Sequence, residues 1–172
     1  MKSGLRWLPL LLSTPWLCFG FVAASAQPAM TEAETLRLAK SDYVEHCGGC
    51  HGIQGKSAPA LIPELRDRIG YFLCTPEARA YLIRLPNVAH SRLSDNAQLA
   101  EMLNFTVFGL GGASAPAGAP RFTAGEVERE RKRVLAAGSL KKMRASLVDG
   151  IIRKCNAPAS LRDLYPGQTK AQ

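Results

Sequence analysis

Cys47-Gly48-Gly49-Cys50-His51 constrains the fold more than any other stretch, because two thiols and an imidazole within five positions must serve one object. Three chemistries use such a cluster. A zinc site needs further ligands at regular spacing, and Cys74, Cys155, His46 and His90 are scattered far apart. A thioredoxin-like dithiol wants a strand leading into the motif within a βαβ unit, whereas the residues before Cys47 are patterned as a helix.

The third chemistry is covalent attachment of a haem. It needs two thiols spaced to meet two vinyl groups and a histidine directly behind them to reach the iron from the same side; Cys-x-x-Cys-His has that spacing. Cys47 and Cys50 are the expected attachment points for one haem c, and His51 is the expected ligand on one face of its iron.

The N-terminus fits such a product. Lys2 and Arg6 precede the apolar run "LPLLLSTPWLCFGFV", and "AASAQ" offers a cleavage site after Ala26, so residues 1–26 read as a signal peptide and the mature chain as periplasmic. A retained membrane anchor is the alternative, disfavoured by Pro9 and Pro15 and by a marginal length. Cys18 would leave with the peptide. The remaining cysteines would then sit where disulfides are permitted. Cys74 and Cys155 either pair or serve as small apolar core residues.

Removing Lys2 and Arg6 leaves 20 basic against 14 acidic side chains, a formal charge of +6. Residues 27–120 hold 8 basic and 9 acidic side chains and residues 121–172 hold 12 and 5, so the excess lies in the last third. The boundaries follow: 27–112 as the motif-bearing domain, 113–120 ("ASAPAGAP") as a linker, and 121–172 as a basic helical extension whose final "SLRDLYPGQTKAQ" frays.

Within 27–112 the periodicity predicts helix, loop, helix, loop, helix, an all-α fold. Thr31 with Glu34 forms a capping box for a helix placing Leu36, Ala39, Tyr43 and Val44 near one face. Thr75 and Pro76 start a helix that turns Leu82 and Ile83 inward and ends at Pro86. Ser94 is the expected cap of a third, which carries Leu99, Met102, Leu103 and Val107 and stops at Gly109 to Gly112.

This arrangement resembles the class I c-type cytochromes over about Thr31 to Gly112, on the strength of "CGGCHG", Tyr43 four residues before the first cysteine, the Gly/Pro loop and the closing helix "LSDNAQLAEMLNF". The resemblance implies a small helical domain around a covalent haem. It also implies that Ala39 and Tyr43 cross Leu103 and Phe105, and that a carbonyl of Pro59 or Pro63 accepts the proximal imidazole N–H. Tyr71, Phe72 and Tyr81 are candidates to line the pocket.

The chain departs from the family on the far side of the haem. Leu85-Pro86 stands where the family carries Met-Pro, and leucine has no lone pair to give. His90, in the same loop, is the candidate sixth ligand and otherwise a solvated histidine. Met102 falls in the core stripe, Met143 lies beyond the linker, and His46 is too close to Cys47 to reach the opposite face.

The expected function is one-electron transfer between redox partners, such as an exported dehydrogenase or an oxidase. The alternatives are an open iron that binds small ligands, as a gas sensor or a peroxidase-like protein does, and a haem-bearing accessory subunit of a larger oxidoreductase. The basic extension suits an acidic partner or an anionic membrane surface, with a solvated helix face as the alternative. No aromatic residues are interleaved with the charged runs "RERKRVL" and "LKKMR", which argues against nucleic acid.

Overall fold

Thr31 caps the first helix as the capping box requires. Its hydroxyl oxygen accepts from Glu34 N at 3.3 Å while the Glu34 carboxylate accepts from Thr31 N at 2.8 Å, and α1 runs Glu32–His46. A computed structural model describes residues 30–57, 62–136, 138 and 140–164. The expected signal peptide with Cys18, the carbonyl of Pro59, and residues 165–172 lie outside them.

The helices that follow are α2 (Gly48–His51), α3 (Pro76–Arg84), α4 (Pro86–Ala89), α5 (Asn96–Asn104), α6 (Ala124–Arg131) and α7 (Leu140–Cys155). No strand occurs among the described residues, so the fold is all-α. No helix among them is long and apolar enough to cross a membrane.

α1 packs across α5 and the turn that continues it. Its buried strip is Ala39, Asp42 and Tyr43; Leu36 and Val44, expected on the same face, are 56% and 39% exposed. Successive helical residues advance by 100°, which sets Val44 well round the helix from Tyr43, whereas Leu36 shares Tyr43's stripe two turns nearer the N-terminus, where the contact no longer covers it. Tyr43 meets Phe105 with ring centroids 5.7 Å apart, the crossing expected from the sequence. Gln98 Nε2 donates to both oxygens of the buried Asp42 at 3.1 Å, tying α1 to α5.

Thr75 caps α3 and Pro76 opens it, with Leu82 and Ile83 buried as expected. Pro86 ends that helix and also begins the single turn α4, since the fixed φ of proline suits a first helical position. At α5 the cap is Asp95 rather than Ser94: its carboxylate accepts from Ala97 N at 2.6 Å and Gln98 N at 3.1 Å. From Phe105 to Leu110 the helix widens into a π-turn before Gly111.

The stretch expected as a linker and the basic extension are not set apart by packing. Asn104, buried, donates from Nδ2 to Phe122 O at 3.1 Å and accepts from Phe122 N at 2.7 Å, which docks the chain beside α5. Ser114 is buried, and a Cβ at Gly70 would lie 2.3 Å from Ala115 N, so this close approach requires glycine. Phe122, Val127, Val148, Ile151 and Leu161 join Leu82, Leu99 and Leu103 in one hydrophobic cluster.

Glu126 and Glu130 of α6 turn inward. Arg79 forms a fork on Glu126 at 2.6 and 2.7 Å, and Arg84 Nε donates to Glu130 at 2.6 Å.

A disulfide joins Cys74 to Cys155, with Cα atoms 6.3 Å apart, and fastens α7 to the 3-10 segment Ile69–Cys74. Of the C-terminal stretch expected to fray, residues 160–164 are described and are packed against the rest of the fold. Leu161 is buried, and the Arg68 Nη2 donates to Ser160 O and Asp163 O at 2.7 and 2.6 Å.

Candidate functional site

The motif is built where α1 ends. Cys47 N donates to Tyr43 O at 2.8 Å as the last bond of α1, and His51 N donates to Cys47 O at 2.9 Å within the single turn of α2. Gly52 then reverses the chain at φ +75, where a Cβ would sit 2.2 Å from Lys56 O, so only glycine fits. The Tyr43 hydroxyl donates to Gly52 O at 2.8 Å and locks this turn to α1.

His51 Nδ1 lies 2.9 Å from Pro63 O. A carbonyl can only accept, so Nδ1 carries the proton and the lone pair stays on Nε2. That is the tautomer a ligating imidazole needs, oriented by a second-shell carbonyl. Pro63 is one of the two carbonyls named from the sequence; Pro59 lies outside the described residues. Burial lowers the pKa of His51, against the opposing effect of the Pro63 hydrogen bond, so the ring is neutral at pH 7.

Cys47, partly buried, and Cys50, exposed, are both free thiols. Burial, reinforced by the neighbouring Cys50, pushes the Cys47 thiol up to about 11. A dithiol that attacks disulfides works through a thiolate of lowered pKa, and Cys47 is displaced the other way. Among the described residues no cluster of three or more His, Cys, Asp or Glu side chains is arranged to hold a bare metal ion. The zinc and dithiol alternatives therefore gain nothing from the geometry.

A covalent haem fits the donor set: two free thiols two residues apart, and a neutral imidazole with Nε2 unprotonated. The surroundings fit as well. Val44 and Ile53, flanking the motif, are 39% and 63% exposed, an apolar surface that water covers poorly.

His90 is exposed at the C-cap of α4. It lines a cleft of about 470 Å3, with Glu45 and His46 at the end of α1 forming one part of the wall and Pro86, Asn87, His90 and Arg92 another. The 86–92 segment and the end of α1 that leads into Cys47 thus share one cavity. Neither Cys47, Cys50 nor His51 is among its lining residues.

Met102 is fully enclosed in the core of α5, Met143 is partly buried on α7, and Phe72 stacks on Tyr81 inside the core at 6.0 Å between centroids. These side chains have structural work, and Tyr71 is only half buried.

Sequence patterning gave no sign of Arg131, which bonds across the segment that carries His90, nor of Arg68. Both sit among other arginines at similar spacing, and only the tertiary acceptors single them out. Compared with protein-family models, curated proteins and solved structures, the chain matches none.

Proposed function

We propose that this chain is an exported c-type cytochrome with one covalent haem and an architecture similar to class I, working as a one-electron carrier between redox proteins. The observation that carries the reading is the Pro63 carbonyl held 2.9 Å from His51 Nδ1 beside two free thiols, in a chain whose other two mature cysteines are joined to each other.

Cys47 and Cys50 would hold the group through two thioether bonds to its vinyl carbons, an addition of S–H that consumes no oxidant. When bound, the haem supplies a one-electron ferric/ferrous couple. His51 offers Nε2 to the iron, and Pro63 keeps that ring from rotating and raises its basicity. Tyr43 and Gly52 hold the motif turn against α1. His90 is the candidate sixth ligand, since it belongs to the segment facing the end of α1 across the cleft.

Maturing the protein with cytochrome c assembly machinery tests this: one haem per chain should survive denaturation, and Cys47→Ser with Cys50→Ser should abolish it. A mature wild-type protein without covalent haem would overturn the reading. A second reading, an open iron that binds small ligands, is favoured by the exposure of His90 together with the burial of Met102. Ferric and ferrous spectra with and without carbon monoxide separate the two. A low-spin iron indifferent to carbon monoxide, turned high-spin by His90→Ala, supports the carrier; a high-spin wild type that binds carbon monoxide supports the open site.

A further inference from the structure

The residues that carry His90 are held by a side chain from outside the region of resemblance. Arg131, the last residue of α6, donates from Nε to Ala89 O at 3.1 Å. Its Nη1 faces Leu93 O at 3.2 Å, Ser94 O at 3.5 Å and Asn96 Oδ1 at 2.9 Å. One planar fork thus spans the end of α4, the irregular turn and the start of α5. All four acceptors are neutral oxygens, so the charge of Arg131 is directed into this segment.

α6 is itself fixed. Glu126 and Glu130 bind Arg79 and Arg84 of α3, and Leu135 N donates to Arg84 O at 3.0 Å. Within the segment, His90 N bonds to Pro86 O, Ser91 N bonds to Val88 O and Leu93 is buried in the core, while the Ser91 hydroxyl is buried without a partner.

We propose that Arg131 is the positioning residue of the sixth-ligand segment: it frames residues 89–96 so that His90 stays on the cleft wall shared with the end of α1. This rests on reading the motif as a haem anchor. A ligand on a pinned segment stays bound, whereas the same ligand on a free turn dissociates and leaves the iron open. The basic extension is then part of the haem site. Lysine, whose three donors all radiate from one nitrogen, cannot span the same acceptors.

The test uses the matured protein with Arg131→Gln, Arg131→Lys and, as a control, the exposed neighbour Arg133→Gln. Two properties are read: amide hydrogen exchange in 89–96, and the ferric high-spin fraction with carbon monoxide binding. Arg131→Gln should speed exchange in that segment roughly tenfold and raise the high-spin, carbon monoxide-binding fraction. Arg131→Lys should fall between, and Arg133→Gln should match wild type.

Unchanged exchange, or faster exchange with an unchanged spin state, overturns the proposal. If Arg131→Gln does not fold, Asn96→Ala, which removes one acceptor, takes its place with the same expected direction. A protein that matures without haem overturns the functional reading instead, and exchange alone then decides the frame.

Discussion

Tyr43 shows how much one side chain carries in this motif. It is fully buried, its ring meets Phe105, and its hydroxyl holds Gly52 O. Tyr43→Phe keeps the ring and strands the carbonyl, which should cost about 1–2 kcal/mol, read as a lower urea midpoint. Burial first, and then the neighbouring Cys47, push the Tyr43 hydroxyl from 10 up to about 12, and burial takes Cys47 from 9 to about 11. Both pKa values are raised, so the folded chain keeps protons that the unfolded chain releases. The stability they contribute is complete below pH 9 and drains as the pH climbs through 11 to 12. Haem-free protein should therefore lose stability from about pH 9 upward, and Tyr43→Phe should flatten the upper part of that decline in urea titrations at stepped pH. At this scale the sequence was readable where a known pattern names both partners of a contact: Tyr43 meets Phe105, and Pro63, one of the two carbonyls implied by the resemblance, lies against His51 Nδ1. It was opaque at Leu36 and Val44, because periodicity tells which residues share a face but not how far along the helix, or how wide around it, a neighbour covers that face.

The helices explain themselves mostly through their first turns. Thr31, Thr75 and Thr123 cap α1, α3 and α6, but at α5 two adjacent candidates competed and the carboxylate of Asp95 won over Ser94. Asp95→Ala should cost about 1 kcal/mol and Ser94→Ala much less, a contrast that thermal melts of the two variants would check. Between elements the largest single constraint is the disulfide, whose cysteines are 81 residues apart. In the chain-entropy model, closing a loop of that size stabilises by roughly 4.5 kcal/mol, so Cys74→Ser with Cys155→Ser should shift the denaturant midpoint accordingly. That pairing was left open in the sequence, since nothing local fixes the approach of α7 to the 3-10 turn before α3. The inward turn of Glu126 and Glu130 was likewise hidden: a run of alternating charges looks the same whether its partners are water or the arginines of α3.

At the scale of the molecule, the all-α architecture was legible from helical spacing, whereas the partition into domain, linker and extension follows charge and not packing. Phe122, Val127, Val148, Ile151 and Leu161 lie beyond the expected boundary and are buried in the common cluster. Each such side chain contributes about 1.5–3 kcal/mol, so a chain ending at residue 120 should fail to fold cooperatively, as far-ultraviolet and near-ultraviolet circular dichroism would show. The covalent pattern also bears on assembly. Cys47 and Cys50 are near neighbours in the chain and both emerge before Cys74, whereas the partner that Cys74 needs comes 81 residues after it. The native bond must wait for those 81 residues, while the two thiols that end up free are already close enough to pair. In an oxidising compartment arrival order therefore favours the wrong pair, unless the first two cysteines are kept as thiols until Cys155 has joined Cys74.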